Sequence, residues 1–142
     1  AKSLRDVERF PGCHVMISIP CAAVSVWRRI NFNRGGLRQK LRVASLRRDM
    51  LLLLSNCRVL ARAVRGAGGS IGFEWPRGCS LWREEAVQKF MTDVQLRAVD
   101  FDGCSVGLVS TTGAPLLMPW RIYTDNQAII SALVDKRCQR DH

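Results

Sequence analysis

The sequence predicts an α/β domain with an incomplete Rossmann-like, mainly parallel sheet and flanking helices. Strand-like and helix-like segments alternate along the chain, which is typical of α/β domains. The first strand-like segment is continuously apolar, as in parallel sheets that are buried on both faces. The 142 residues are enough for one buried core, so we expect a single domain over residues 1–142.

The first half of the chain predicts strand, helix and strand. Residues 14–20 are the apolar strand. Residues 28–45 are basic and contain Gly35-Gly36, which indicates a loop or a helix with a broken start. Apolar positions then recur at helical spacing from Leu46 to Val64, and the glycine-rich stretch 66–69 ends that helix. Residues 70–75 form a short strand that Pro76 ends.

The second half predicts a helix over 81–95, a strand over about 97–101 with room for another after Gly103, and a strand over 119–124. Thr124 or Asp125 then caps a last helix over 126–137. Functional residues of parallel sheets lie at the carboxyl ends of the strands. We therefore expect Cys21, just past the first strand, and Glu74, near the end of the second, to share one edge.

Charge is the strongest signal of the composition, with 22 Lys and Arg against 12 Asp and Glu and a net charge of +10. Guanidinium groups suit phosphate oxygens, so a local basic cluster predicts nucleic-acid binding; the alternative is a solvated basic surface. No apolar run approaches the roughly 18 residues of a membrane span, so we expect no membrane partner. The cluster contains no acid and comprises Arg28, Arg29, Arg34, Arg38, Lys40, Arg42, Arg47 and Arg48.

The six cysteines are irregularly spaced and include no CxxC pair. This pattern predicts a reduced intracellular protein, cytoplasmic or nuclear, with mostly buried thiols. The first residue is Ala1 and no secretory leader is visible, so we expect a chain that is processed, excised or incomplete.

Four segments carry a family resemblance: "SIPCAAVS", "FEWP", "DGCSVGL" and "MPWRIYT". In this order and spacing they resemble the Pro-Cys segment, the Glu-containing strand end and the Arg-bearing strand of the cytosine-5 DNA methyltransferases. They are also similar to methyltransferase-like modules in retrotransposon-type polyproteins of protists and fungi, which implies further domains of a longer polyprotein. The resemblance covers residues 14–142.

The resemblance implies a catalytic role for three residues. Cys21 would add as a thiolate to carbon 6 of cytosine, which makes carbon 5 nucleophilic enough to attack a methyl sulfonium. Glu74 would hold the ring nitrogen and the exocyclic amine, and Arg121 would orient the base or the carboxylate. The target base must leave the duplex to reach such a site. The resemblance thus implies DNA, more than RNA, as the nucleic-acid partner.

The part of that family that binds S-adenosylmethionine has no counterpart here. Residues 1–13 hold no glycine-rich cofactor loop, and "RGAGGS" follows a helix and precedes a strand, the reverse of a cofactor-binding turn. We therefore expect no cofactor to bind to this chain alone, and a nucleic-acid-binding, degenerate methyltransferase-like domain that is inactive by itself. The alternatives are the catalytic half of a DNA (cytosine-5)-methyltransferase that needs the missing cofactor-binding part, and a non-catalytic interaction module.

Each candidate residue also has a simpler interpretation. Cys21 would be a buried structural thiol, and Glu74 an ion-pair partner of one of the many arginines. Cys138 and His142 are four residues apart and could bind zinc with Cys104 or Cys79, but only two ligands are locally spaced, so we predict no metal site. A Ser-His-Asp hydrolase is the weakest alternative. The one internal histidine of this sequence, His14, is the first residue of a strand that we expect to be buried.

Overall fold

The computed structural model describes residues 2–20 and 36–139 of the chain. Helices and strands alternate in this part, and the fold is α/β. Short 3-10 turns follow β2 and β3, at Ser80–Arg83 and Gly103–Val106. In chain order the elements are α1 (Lys2–Arg9), β1 (His14–Ile17), α2 (Gly36–Gly66), β2 (Ser70–Pro76), α3 (Glu85–Asp93), β3 (Arg97–Asp102), β4 (Pro119–Thr124) and α4 (Gln127–Leu133).

The four strands form one mixed sheet in the order β1-β2-β4-β3. β1 pairs parallel with β2, whereas β4 is antiparallel to both of its neighbours. The prediction of a mainly parallel sheet is therefore wrong. Parallel neighbours need a crossover connection, but the segment 103–118 between β3 and β4 holds a 3-10 turn and a small Val109–Pro115 bridge, so the chain returns antiparallel to β3.

The strands lie close to the predicted positions, but the helices differ in extent. α2 begins at Gly36, ten residues before the predicted start, and includes a segment expected to be a loop or an irregular helix. The predicted helix over 81–95 is divided, because Glu84 has an extended backbone (φ −67°, ψ 129°) between the 3-10 turn and α3. The possible strand after Gly103 is a 3-10 turn. α1 was not predicted at all.

The last helix is also shorter than predicted and has a different cap. Asn126, rather than Thr124 or Asp125, is the N-cap residue, and its side chain accepts hydrogen bonds from the Ala128 and Ile129 amides. An Asn at this position satisfies amides that lack a partner within the helix. The helix ends at Leu133.

An aromatic cluster fills the core on one face of the sheet. Phe73 and Trp75 of β2 project to the same side, since side chains alternate along a strand. Trp75 stacks edge-on with Trp82, at 4.9 Å between ring centroids, and Phe73 lies 5.8 Å from Phe90 of α3. Tyr123 of β4 closes the cluster at 5.2 Å from Trp82. Trp75 and Trp82 are therefore core residues.

Candidate functional site

The carboxyl ends of β1 and β2 lie at the same edge of the sheet, because these two strands are parallel. Ile17, the last residue of β1, is level with Phe73, so Glu74 follows at this edge. The Ser18 hydroxyl donates a hydrogen bond to Glu74 Oε2 at 3.3 Å. Cys21 comes three residues after Ser18 and lies outside the described residues, so its nearness to Glu74 stays a prediction.

Glu74 is half-buried on the face of β2 opposite the aromatic core. Burial raises the pKa of the Glu74 carboxyl, and the hydrogen bond from Ser18 partly offsets this effect. None of the ion pairs found in residues 2–20 and 36–139 includes Glu74. Within that part of the chain, nothing supports the simpler interpretation of Glu74 as an ion-pair partner of an arginine.

Arg121 is not brought together with Glu74. It lies opposite Trp75 in β2 and Asp100 in β3, so it belongs to the sheet face that Glu74 does not share. Its guanidinium binds Asp100 through both carboxylate oxygens, at 2.6 and 2.9 Å, and Arg137 also contacts Asp100 at 3.3 Å. Hydrogen bonding to Asp100 raises the pKa of Arg121. These ion pairs link β3, β4 and the segment that follows α4.

The structure gives little support to the two remaining alternatives, a metal site and a Ser-His-Asp hydrolase. The described residues contain no group of three or more His, Cys, Asp or Glu side chains that could hold a metal ion, and His142 lies outside them. His14 is exposed, and its Nδ1 is 2.8 Å from the Ser70 hydroxyl oxygen. No carboxylate among the described residues hydrogen-bonds to this imidazole, so a Ser-His-Asp triad is not formed there.

The amino-terminal half of α2 presents the predicted basic cluster. Among the described side chains of residues 36–50, Met50 is the first that is fully buried. Leu37 and Leu41 are 74% and 63% exposed, so this part of the helix lies largely in solvent. Five residues of the cluster lie here and all are exposed: Arg38, Lys40, Arg42, Arg47 and Arg48.

These five basic side chains differ in their contacts. Arg47 forms an ion pair with Glu84. No ion pair within the described ranges includes Arg38, Arg42 or Arg48. At about 100° per residue these three arginines span an arc of about 120° on the side of the helix opposite Met50, and about 15 Å along its axis. All three are exposed.

The other three members of the cluster, Arg28, Arg29 and Arg34, lie outside the described residues. The outward side of α2 also carries apolar side chains, since Leu37, Leu41 and Leu52 are exposed there. This surface combines positive charge with apolar area. Helical periodicity did not identify it, because the apolar residues that define a helix in sequence are those that face a core.

None of the helices in residues 2–20 and 36–139 is long and apolar enough to cross a membrane. The chain matches no family model, no curated protein and no solved structure.

Proposed function

We propose that this chain binds nucleic acid, DNA in preference to RNA, through the outward side of the amino-terminal half of α2. The observation that carries the proposal is the accessibility of Arg38, Arg42 and Arg48, which no carboxylate of the described residues pairs. The sequence holds no acid from residue 28 to residue 48, so the positive potential is concentrated along this segment.

The physical reason is the charge density of the nucleic acid. Duplex DNA carries one negative charge per about 1.7 Å of helix axis, so a span of about 15 Å faces several phosphates. An arginine fork can donate two hydrogen bonds to one phosphate. Each contact releases condensed counterions, and this release makes the affinity depend on salt.

The test compares two triple variants with equal charge. In the first, Arg38, Arg42 and Arg48 are each replaced by Gln. The matched control replaces Arg5, Arg62 and Arg83, which are also exposed and outside the ion pairs of the described residues. Both variants lose three positive charges, so a difference between them reports position and not net charge. Binding of a labelled 20-base-pair duplex is followed by fluorescence anisotropy from 50 to 300 mM NaCl.

We expect the first variant to reduce the slope of log K against log salt by about 2.7, or about 0.9 per lost phosphate contact, and the control to leave it nearly unchanged. Equal slopes for the two variants would refute the assigned surface. Binding that depends little on salt would instead favour a protein partner, for which exposed Leu37, Leu41 and Leu52 are the supporting observation. RNA of the same length tests the preference for DNA.

A second candidate function is the catalytic half of a DNA (cytosine-5)-methyltransferase, on a Rossmann-like sheet. It is supported by the parallel ends of β1 and β2 and by Glu74, which contacts Ser18 three residues before Cys21. The described residues do not fit S-adenosylmethionine at the glycine-rich turn. The amides of Gly68 and Gly69 already donate to carbonyls of α2, so they cannot cradle a cofactor.

Covalent capture on a duplex containing 5-fluorocytosine tests this candidate. With S-adenosylmethionine and a separately supplied cofactor-binding part, the wild-type chain and Cys57→Ser should both form an adduct, and Cys21→Ser should form none. An adduct that persists in Cys21→Ser would exclude Cys21 as the nucleophile. If the wild-type chain forms no adduct, only the binding function remains.

A further inference from the structure

Two thiols that are distant in the sequence meet beyond the end of β3. Cys104 lies in the 3-10 turn Gly103–Val106, directly after this strand. Cys138 belongs to the segment that follows α4; its thiol lies close enough to Cys104 to raise the pKa of that thiol, and both cysteines line one cavity. None of the five described cysteines is in a disulfide and all five are only half-buried, which corrects the expectation of mostly buried thiols.

The backbone holds the two thiols in this position. The Asp102 amide donates to the Lys136 carbonyl at 2.8 Å, and the Cys138 amide donates to Asp102 Oδ2 at 3.0 Å. β3 is an edge strand, so residues 136–138 lie along an edge that would otherwise be unpaired. Asp102 is only 5% exposed, so the residue that holds Cys138 beside the end of β3 is buried.

The thiols are also accessible to a small reagent. They line an open cavity of about 430 Å³ together with Ser105, Asp135, Lys136 and Arg137. Lys136, Arg137 and Asp135 are the charged residues of the cavity wall, and Arg137 is also paired with Asp100. The Lys136 ammonium can attract a carboxylate of a small disulfide such as glutathione disulfide.

We propose that Cys104 and Cys138 form a reversible disulfide that fastens the segment after α4 to the end of β3, with a low-molecular-weight disulfide as the oxidant. The thiolate of one cysteine attacks the reagent, forms a mixed disulfide and releases one thiolate. The second cysteine, as its thiolate, then attacks the protein sulfur of the mixed disulfide and releases the other. The protein loses two protons and two electrons, and the reagent becomes two thiols.

The rate of this exchange depends on pH. Burial and the neighbouring Cys138 thiol raise the pKa of Cys104, while the hydrogen bonds from Ser105 lower it in part. Among the described residues, Asp135, Lys136 and Arg137 line the cavity beside the pair, and the Asp102 carboxylate accepts from the Cys138 amide. Because only the thiolate reacts, we expect the rate to rise about tenfold per pH unit between pH 7 and pH 8.5.

The experiment oxidises the full chain in glutathione buffers of increasing disulfide fraction at pH 8, blocks free thiols with iodoacetamide and maps the tryptic peptides. We expect the first and main intramolecular link to join the peptides containing Cys104 and Cys138. It should raise Tm by roughly 10 °C, since it closes a loop of more than 30 residues. Cys104→Ser and Cys138→Ser should each abolish this link, and Cys57→Ser should retain it.

A second oxidation in 6 M guanidinium chloride separates the folded geometry from chance pairing. In the unfolded chain the preference for Cys104–Cys138 should disappear. The proposal is overturned if glutathione stays attached to either cysteine without a link between them, if another pair links as fast, or if the yield is the same in the denaturant.

Discussion

Glu74 lies on the sheet face opposite the aromatic core, where burial disfavours its charged form more than the hydrogen bond from Ser18 favours it. Its pKa in the folded state is therefore above its ordinary value. A carboxyl of this kind contributes stability at low pH, where it is protonated in both states. The contribution is lost as the pH rises through the folded-state pKa, because the unfolded chain then releases the proton more readily.

Replacement of Glu74 by Gln should accordingly stabilise the chain at pH 7 and have little effect near pH 3.5. The amide keeps the shape and can still accept from Ser18, but it carries no charge that burial penalises. Urea unfolding at the two pH values measures the difference. Ser18→Ala is the opposing variant: it should lower stability more at pH 7 than at pH 3.5, because it removes the bond that favours the charged form. A gain from Glu74→Gln that is equal at both pH values would contradict the raised pKa.

The sequence predicted that Glu74 lies near the end of a strand, and it does lie there in β2, half-buried. The environment of Arg121 could not be identified in this way. Its partner Asp100 depends on the register between β3 and β4, and a slip of one residue would turn Arg121 to the other face. The family resemblance gave Arg121 a role beside Glu74, whereas strand alternation separates the two residues.

Two glycines fix the carboxyl-terminal end of α2, the longest of the described elements. Gly68 has a left-handed backbone (φ +74°), and the Gly68 and Gly69 amides donate to the carbonyls of Arg65 and Val64. This is the Schellman arrangement of a helix end. Gly69 also passes directly beside the Cys13 carbonyl, where the chain enters β1. The helix end and the first strand are thus fixed against each other.

Gly69→Ala should destabilise the chain by roughly 1–3 kcal/mol, because the new methyl group would overlap the Cys13 carbonyl oxygen and lie 2.8 Å from Val64 Cγ1. Gly78→Ala is the matched control. A Cβ at Gly78 meets nothing within 4 Å, so its cost should stay within about 0.5 kcal/mol. Chemical denaturation of both variants measures the difference, and equal costs would show that the close approach at Gly69 is relieved elsewhere.

The glycine-rich end of α2 was predictable because its signal is local. The start of α2 was not, because residues 36–45 carry no apolar stripe that faces a core. Leu37 and Leu41 are exposed, and the basic residues between them hide the periodicity. Helix propensity would have been the better guide, since Leu, Arg, Gln and Lys are all good helix formers.

For the whole molecule, alternation of helices and strands predicted the α/β class but not the pairing of the sheet. Pairing depends on how the chain returns between strands, and residues 103–118 carry no pattern that excludes a crossover. The same limit applies to the meeting of Cys104 and Cys138, which follows from the path of the chain after α4. Neither feature leaves a signal in a short window of sequence.

The place of β4 has a consequence for how the chain is made. β4 lies between β2 and β3 but follows both in the sequence. During synthesis, a growing chain that stops before residue 119 therefore holds β1 and β2 on one side and an unpaired β3 on the other. β1 and β2 can pair early, but β3 joins the sheet only after β4 has emerged, so β3 stays an unpaired strand until then.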